Sequence, residues 1–137
     1  MEATGSGAFT LATAGHYRPH PITQQFQLTS VFPLATGLSQ TSNSWQAKPL
    51  AVVGEQGWLE QSSLSEGVSF DKQQDLSGPV TLALALTPQP SKTTEHTDSA
   101  LATPADTQDQ QRVVVVGDGD FLANAYLGNG GNQQLGL

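Results

Sequence analysis

The sequence predicts an α/β fold built on an open, mostly parallel sheet. Short apolar runs closed by turn residues are typical of strands that are covered on both faces, and they occupy residues 50–53, 80–86 and 113–116. The last run leads through a glycine- and aspartate-rich turn into residues 121–127, whose apolar side chains recur at helical spacing. A strand, a tight turn and a helix form the repeating unit of doubly wound sheets. We therefore expect one α/β domain over residues 1–137.

Two weaker strands precede these runs. Residues 9–14 alternate moderately between apolar and polar, and residues 27–34 have strand composition, with Pro33 marking an end or an edge. Between them, Pro19 and Pro21 exclude a helix, because proline lacks the backbone donor and restricts the preceding residue. The first part of the chain is therefore predicted to be extended.

Polar stretches connect the predicted elements. Residues 62–78 are rich in turn formers, and residues 87–111 form a long polar segment without periodicity, which predicts a mobile loop. Neither stretch divides the domain. Residues 129–137 predict a turn followed by the first residues of a helix, and we expect the natural protein to continue beyond them.

Composition excludes several function classes. The net charge is −7, and the five Lys and Arg residues are scattered singly, so no basic patch for nucleic acid or for an anionic membrane surface is expected. The chain has no cysteine, which excludes disulfides, thiolate catalysis and cysteine-based metal sites. No apolar run is long enough to span a bilayer, and the first residues do not form a signal peptide. No cofactor is expected.

The turn after the four valines is the first candidate site. Gly117 and Gly119 fit the start of a dinucleotide fingerprint, but Leu122 stands where the third glycine belongs, which argues against nucleotide binding. Asp118 and Asp120 follow a predicted parallel strand, where open sheets place ligands, and two carboxylates at this spacing suit a hard cation. The favoured alternative is structural: one aspartate caps the following helix and the other accepts hydrogen bonds from backbone amides.

Aromatic and histidine residues give further candidates. Trp58 follows a predicted strand and would lie near the same sheet edge as Asp118, so it either packs there or recognises a ligand. His16 and His20 are four residues apart, but the prolines prevent the helix that a zinc pair needs, so a turn held by His20 is favoured. No nucleophile elbow occurs, and no pair among the carboxylates stands out for hydrolysis.

Several segments in this order resemble one family. They are Tyr17–Thr23 with the pattern Y-x-x-H-P-I-T, the Phe32-Pro33 strand, Pro49–Val53 followed by Gly57-Trp58-Leu59-Glu60, Asp75–Val80 with D-x-x-G-P, and Arg112–Asn132, which is similar to R-V-V-V-x-G-D-S-D-F followed by G-G-N. The chain thus resembles the GldG-like, gliding-motility-type auxiliary component of ABC-type transport systems, from about residue 9 to its end. Gly119 departs from the serine of that pattern, and Gly54-Glu55 departs from its Thr-Ser.

The resemblance implies a setting more than a reaction. It implies an extracytoplasmic (periplasmic) domain of a membrane-anchored protein that works with permease and ATPase subunits. It also implies a flavodoxin-like or class I glutamine-amidotransferase-like three-layer fold without the catalytic cysteine. We expect a non-catalytic role in protein interaction or ligand sensing, with a homodimer as a candidate assembly. The alternatives are a solute-binding module for a sugar, peptide or cation that uses Trp58, Asp118, Asp120 and Asn124, and a hydrolase that uses Asp118 or Asp120.

Overall fold

A computed structural model describes residues 9–12, 16–64, 68–89 and 111–137 of the chain. The strands are β1 Phe9–Ala12, β2 Ser30–Pro33, β3 Trp45–Val53, β4 Trp58–Leu59, β5 Leu76–Ser77, β6 Val80–Pro88 and β7 Val113–Val116. A 3₁₀ helix spans Asp120–Leu122, and the α-helix α1 spans Asn132–Leu135. Most of the predicted loop 87–111 lies outside the described residues, and its first two residues belong to β6.

The predicted parallel α/β fold is wrong, because every strand pairing in the described residues is antiparallel. The largest sheet has the order β3-β6-β7, and β6 runs opposite to both neighbours. β1 pairs with β2, and β4 pairs with β5. Parallel neighbours require long crossovers that are usually helical. Here the segment between β3 and β6 contains the β4–β5 pair instead, and α1 is the only α-helix in the described part of the chain.

The apolar runs nevertheless form the strands that the sequence predicts. A short run that is buried on both faces suits the centre of an antiparallel sheet as well as it suits a parallel one. In β6, Leu82, Ala83 and Ala85 are buried, and in β3 the run 50–52 is buried. Strand residues and aromatic rings together form the core cluster, which consists of Tyr17, Phe32, Leu50, Ala51, Leu82, Ala83, Ala85 and Phe121.

The helix predicted over residues 121–127 is also wrong. The 3₁₀ helix ends at Leu122, and the next residue, Ala123, is extended with φ −68° and ψ 151°. Turns follow until α1 begins. Phe121 is buried against Phe32, with ring centroids 5.4 Å apart, whereas Leu122 remains 42% exposed. One anchored aromatic ring therefore replaces the predicted apolar helix face.

One geometric premise of the sequence analysis survives the change of topology. Because β6 is antiparallel to both neighbours, β3 and β7 run in the same direction. The register pairs Val53 with Val80 and Val116 with Ala83, so the carboxyl ends of β3 and β7 lie at the same end of the sheet. The segments that carry Trp58 and Asp118 therefore both leave this end.

Candidate functional site

A backbone segment, residues 34–38, crosses the end of the sheet between the two candidate regions. The Thr36 N–H donates to the Gly117 carbonyl at 2.7 Å, and the Leu38 N–H donates to the Thr81 carbonyl at 2.8 Å. A Cβ at Gly117 would collide with the Thr36 carbonyl, so glycine is required for this approach. Ala35 and Thr36 also line the hollow beside Trp58. The segment thus contacts both regions, and Asp118 does not line the hollow that Trp58 lines.

Asp118 organises the turn that follows β7. Its Oδ1 accepts a hydrogen bond from the Asp120 N–H at 2.7 Å, as predicted for one of the two aspartates. The predicted aspartate cap is wrong, because Gly119 is the N-cap of the 3₁₀ helix and no side chain caps it. Its Oδ2 is buried and has no hydrogen-bond partner among the described residues. Burial raises the pKa of the Asp118 carboxyl, and the N–H groups of Asp120 and Phe121 partly offset this effect. Ionisation of the Asp118 carboxyl is therefore unfavourable in the folded chain. Its Oδ1 nevertheless stabilises the turn through the hydrogen bond from Asp120.

The second carboxylate does not complete a cation site in this structure. Asp120 is exposed and stands in the first turn of the 3₁₀ helix. Asn124 is exposed in the turns that follow. In residues 9–12, 16–64, 68–89 and 111–137, no three His, Asp or Glu side chains come together in a way that could hold a metal ion. Of the four predicted ligand residues, only Asp118 and Asp120 are connected by a hydrogen bond in the described part of the chain.

Trp58 is half-buried and lines a separate hollow of about 230 Å³. Its indole N–H donates to Glu60 Oε2 at 3.2 Å, and its ring meets Phe70 edge-on with centroids 5.9 Å apart. Glu60 Oε1 accepts hydrogen bonds from the Ser62 hydroxyl at 2.5 Å and the Ser62 N–H at 3.1 Å. Hydrogen bonds from Ser62 and from the Trp58 indole lower the pKa of the Glu60 carboxyl. The polar groups of the Trp58–Glu60 pair are thus already engaged within the chain.

Two more motif residues hold backbone in place. The buried Asp75 accepts hydrogen bonds from the Gln61 N–H at 3.1 Å and the Asp71 N–H at 2.7 Å. These bonds stabilise the segment that connects β3 to β6. His20 Nδ1 accepts a hydrogen bond from the Ile22 N–H at 3.2 Å, which confirms the predicted histidine-anchored turn. These side chains serve the architecture of the domain.

Asn132 is a polar residue that the sequence analysis did not single out, and it makes four hydrogen bonds with its amide side chain. It is fully buried, and its Oδ1 accepts a hydrogen bond from the Val31 N–H at 2.8 Å. Its Nδ2 donates to the carbonyls of Val31, Phe121 and Tyr126 at 2.9, 3.0 and 3.2 Å. One amide therefore binds β2, the 3₁₀ helix and the following turn. The G-G-N motif is the signal in the sequence that could have identified Asn132. The glycine before it is also required by packing, because a Cβ at Gly131 would collide with Phe26 and Leu28.

An apolar groove of about 460 Å³ lies on the face of the sheet that carries the core. Its lining is almost entirely hydrocarbon, and it includes Tyr17, Ile22, Val114, Val116, Leu122 and Leu137. Ile22 is 49% exposed, Val114 50% and Leu122 42%. Burial raises the pKa of the Tyr17 phenol. A small-molecule site usually combines an apolar lining with a few convergent polar groups, so this surface is better suited to contact with another polypeptide.

Among the described residues, no helix combines the length and apolar character that crossing a bilayer requires. A family model described as an ABC-type uncharacterized transport system matches residues 8–137. No curated protein and no solved structure matches the chain.

Proposed function

The chain belongs to the family of auxiliary components of ABC-type transport systems, and from this membership we propose that it is a non-enzymatic domain that acts by protein interaction. The family match over residues 8–137 carries the proposal. We further propose that the domain lies on the extracytoplasmic side of a bacterial inner membrane, in a membrane-anchored protein that assembles with a permease and an ATPase.

The engagement of the motif side chains supports a non-catalytic role. Catalytic acids, bases and nucleophiles must reach a substrate. Here the polar side chains in the segments that resemble the family form hydrogen bonds within the chain. They are Asp75, Glu60 and Asn132. The larger surface that remains open is apolar, as expected of a domain that contacts polypeptides. The hydrolase alternative that uses Asp118 or Asp120 stays a prediction, and double substitution by asparagine tests it against any detected activity.

Co-purification tests the proposal. A tagged full-length protein would be solubilised gently from membranes, and its partners would be identified and quantified by mass spectrometry. We expect a permease and an ATPase in stoichiometric amounts. Recovery of the protein alone, or with enzymes of one metabolic sequence, would contradict the assignment.

Labelling tests the compartment separately. Thr41 is exposed, and the chain itself contains no cysteine, so Thr41→Cys introduces one accessible thiol into this domain. The matched control is Ala51→Cys, because Ala51 is only 2% exposed. In intact cells, a membrane-impermeant maleimide is expected to label the Thr41→Cys protein above the background of the unsubstituted one. Labelling only after the cells are broken open would place the domain inside them.

Solute binding remains a second candidate, because Trp58 lines a hollow that mixes apolar groups with Glu60 and Ser62. A ligand at one hundred times its dissociation constant stabilises a protein by about 2.7 kcal/mol. A thermal-shift screen of sugars, peptides and divalent cations would detect such a ligand. A shift that Trp58→Ala abolishes and Trp45→Ala preserves would support this hollow as the site. The absence of any shift at millimolar ligand would remove the candidate.

A further inference from the structure

The two outer edges of the three-stranded sheet differ. Along the outer edge of β3, the Arg18 N–H donates to the Leu50 carbonyl at 2.8 Å, and Tyr17 forms a bridge with Ala51. β7 pairs with β6 on one side, and no described residue pairs with its other side. An unpaired strand edge is a template for pairing with another chain. β7 consists of four consecutive valines, with no charged residue or proline to block such pairing.

The hydrogen-bond pattern identifies which residues face the open edge. The Gly117 N–H donates to the Leu82 carbonyl across the β6–β7 pair at 2.8 Å, and the Gln89 N–H donates to the Ser44 carbonyl across the β3–β6 pair at 3.0 Å. Because alternate residues of an antiparallel strand bond to opposite sides, Val113 and Val115 bond to β6. Val114 and Val116 therefore direct their N–H and C=O groups outward.

The same two valines border the apolar groove. Val114 and Val116 line it, and Val114 is 50% exposed. Val115 lies on the opposite face, where it lines a smaller hollow with Leu84 and Leu86. A strand added to this edge would thus gain main-chain hydrogen bonds and also extend the apolar surface of the groove.

The sequence around β7 is self-complementary in charge. Arg112 precedes the valines and Asp118 follows them after one glycine. In a parallel pairing of two copies, Arg112 would meet Arg112. In an antiparallel pairing centred on Val115, Arg112 of each copy comes to the end of the strand where the acidic turn of the other copy lies. In that turn Asp118 Oδ2 is buried, and the exposed Asp120 carboxylate is the accessible partner for Arg112. The charges therefore favour the antiparallel orientation over the parallel one.

We propose that a second copy of this chain pairs with the open edge of β7, antiparallel and centred on Val115. Val114 of each copy then lies opposite Val116 of the other, and the two outward-facing residues of each such pair exchange both main-chain hydrogen bonds. A continuous six-stranded sheet results, and the two grooves meet across the two-fold axis. The contact is isologous, so assembly closes at the dimer. The proposal is independent of the transporter assignment.

Disulfide trapping tests the register in a chain that has no cysteine of its own. In this register Val115 faces Val115 of the other copy as a non-hydrogen-bonded pair, with Cα atoms about 4.5 Å apart. That separation lies within the range that a disulfide bridges. Val114 lies diagonally from its own copy at about 7–8 Å, beyond that range. Under mild oxidation, Val115→Cys is expected to form a covalent dimer much faster than the matched Val114→Cys variant.

Light scattering tests the dimer without any covalent bond. The unmodified chain is expected to show twice its mass of 14.4 kDa at about 100 μM and to dissociate on dilution. Arg112→Glu places like charges at both ends of the paired strands, so the dissociation constant should rise about tenfold. Lys48→Glu makes the same charge change on an exposed residue of β3, and we expect it to leave the mass unchanged. A monomer at every concentration, or faster trapping of Val114→Cys, would overturn the proposal; a monomer would leave this edge to a strand of a different polypeptide.

Discussion

Substitution of Asn132 probes the buried amide that joins the end of the chain to β2. Asn132→Ala removes one acceptor and one donor group from a site with no solvent exposure. The Val31 N–H loses the acceptor that the structure gives it, and the carbonyls of Val31, Phe121 and Tyr126 lose a donor. An unsatisfied buried group costs about 1–3 kcal/mol, and carbonyls are the more tolerant kind. We therefore expect a loss of about 2–4 kcal/mol in the free energy of unfolding.

Urea denaturation followed by tryptophan fluorescence measures this loss. A decrease of that size corresponds to a fall in melting temperature of roughly 10 °C for a chain of this length. Asn132→Asp is nearly isosteric but replaces the donor by an oxygen that faces three carbonyls, so it should be at least as destabilising. Asn124→Ala is the matched control, because Asn124 is exposed and its loss should cost less than about 0.5 kcal/mol. Equal stability of Asn132→Ala and Asn124→Ala would refute the reasoning.

Two further predictions concern the turn after β7. Gly117→Ala should cost about 1–3 kcal/mol in unfolding free energy, because its Cβ collides with the Thr36 carbonyl, whereas Gly119→Ala should be nearly neutral, because nothing lies within 4 Å of its Cβ; equal urea midpoints would refute this. Burial raises the pKa of Asp118 in the folded state, so the folded chain binds the proton more tightly than the unfolded chain. The free energy of unfolding therefore falls as pH rises from the ordinary carboxyl pKa of about 3.9 through the folded value. Asp118→Asn keeps an acceptor for the Asp120 N–H, so it should melt at a higher temperature than the unsubstituted chain at pH 7, and the difference should shrink below pH 4; a difference that stays constant with pH would contradict this account.

The positions of the strands could be predicted from the sequence, but their directions could not. Residues 80–86 and 113–116 are apolar runs that end at turn residues, and both form strands. An apolar run records burial and carries no information about the direction of its neighbours. The sequence analysis placed the β3 strand at residues 50–53, whereas β3 begins at Trp45 and includes Pro49. The register places Pro49 opposite Leu84, which bonds to β7, so the missing N–H of Pro49 costs no sheet hydrogen bond.

The candidate site shows the same division between local and long-range information. The turn roles of His20 and Asp118 depend on partners two residues away, and the sequence analysis named both roles. The role of Asn132 depends on Val31, which is 101 residues away along the chain. No local pattern predicts such a contact. Trp58 and Asp118 leave the same end of the sheet as expected, but the crossing segment, residues 34–38, could be found only from the fold.

Cross-linking in intact membranes tests the central claim most directly. Lys48 and Lys72 are both exposed, so an amine-reactive cross-linker that cannot cross membranes would react with them only if the domain is extracytoplasmic. Mass spectrometry would then identify the proteins joined to these two lysines. An auxiliary component of an ABC-type transport system is expected to yield cross-links to extracytoplasmic segments of a permease. Cross-links that appear only with a membrane-permeant reagent, or that join the domain to soluble enzymes, would contradict the account.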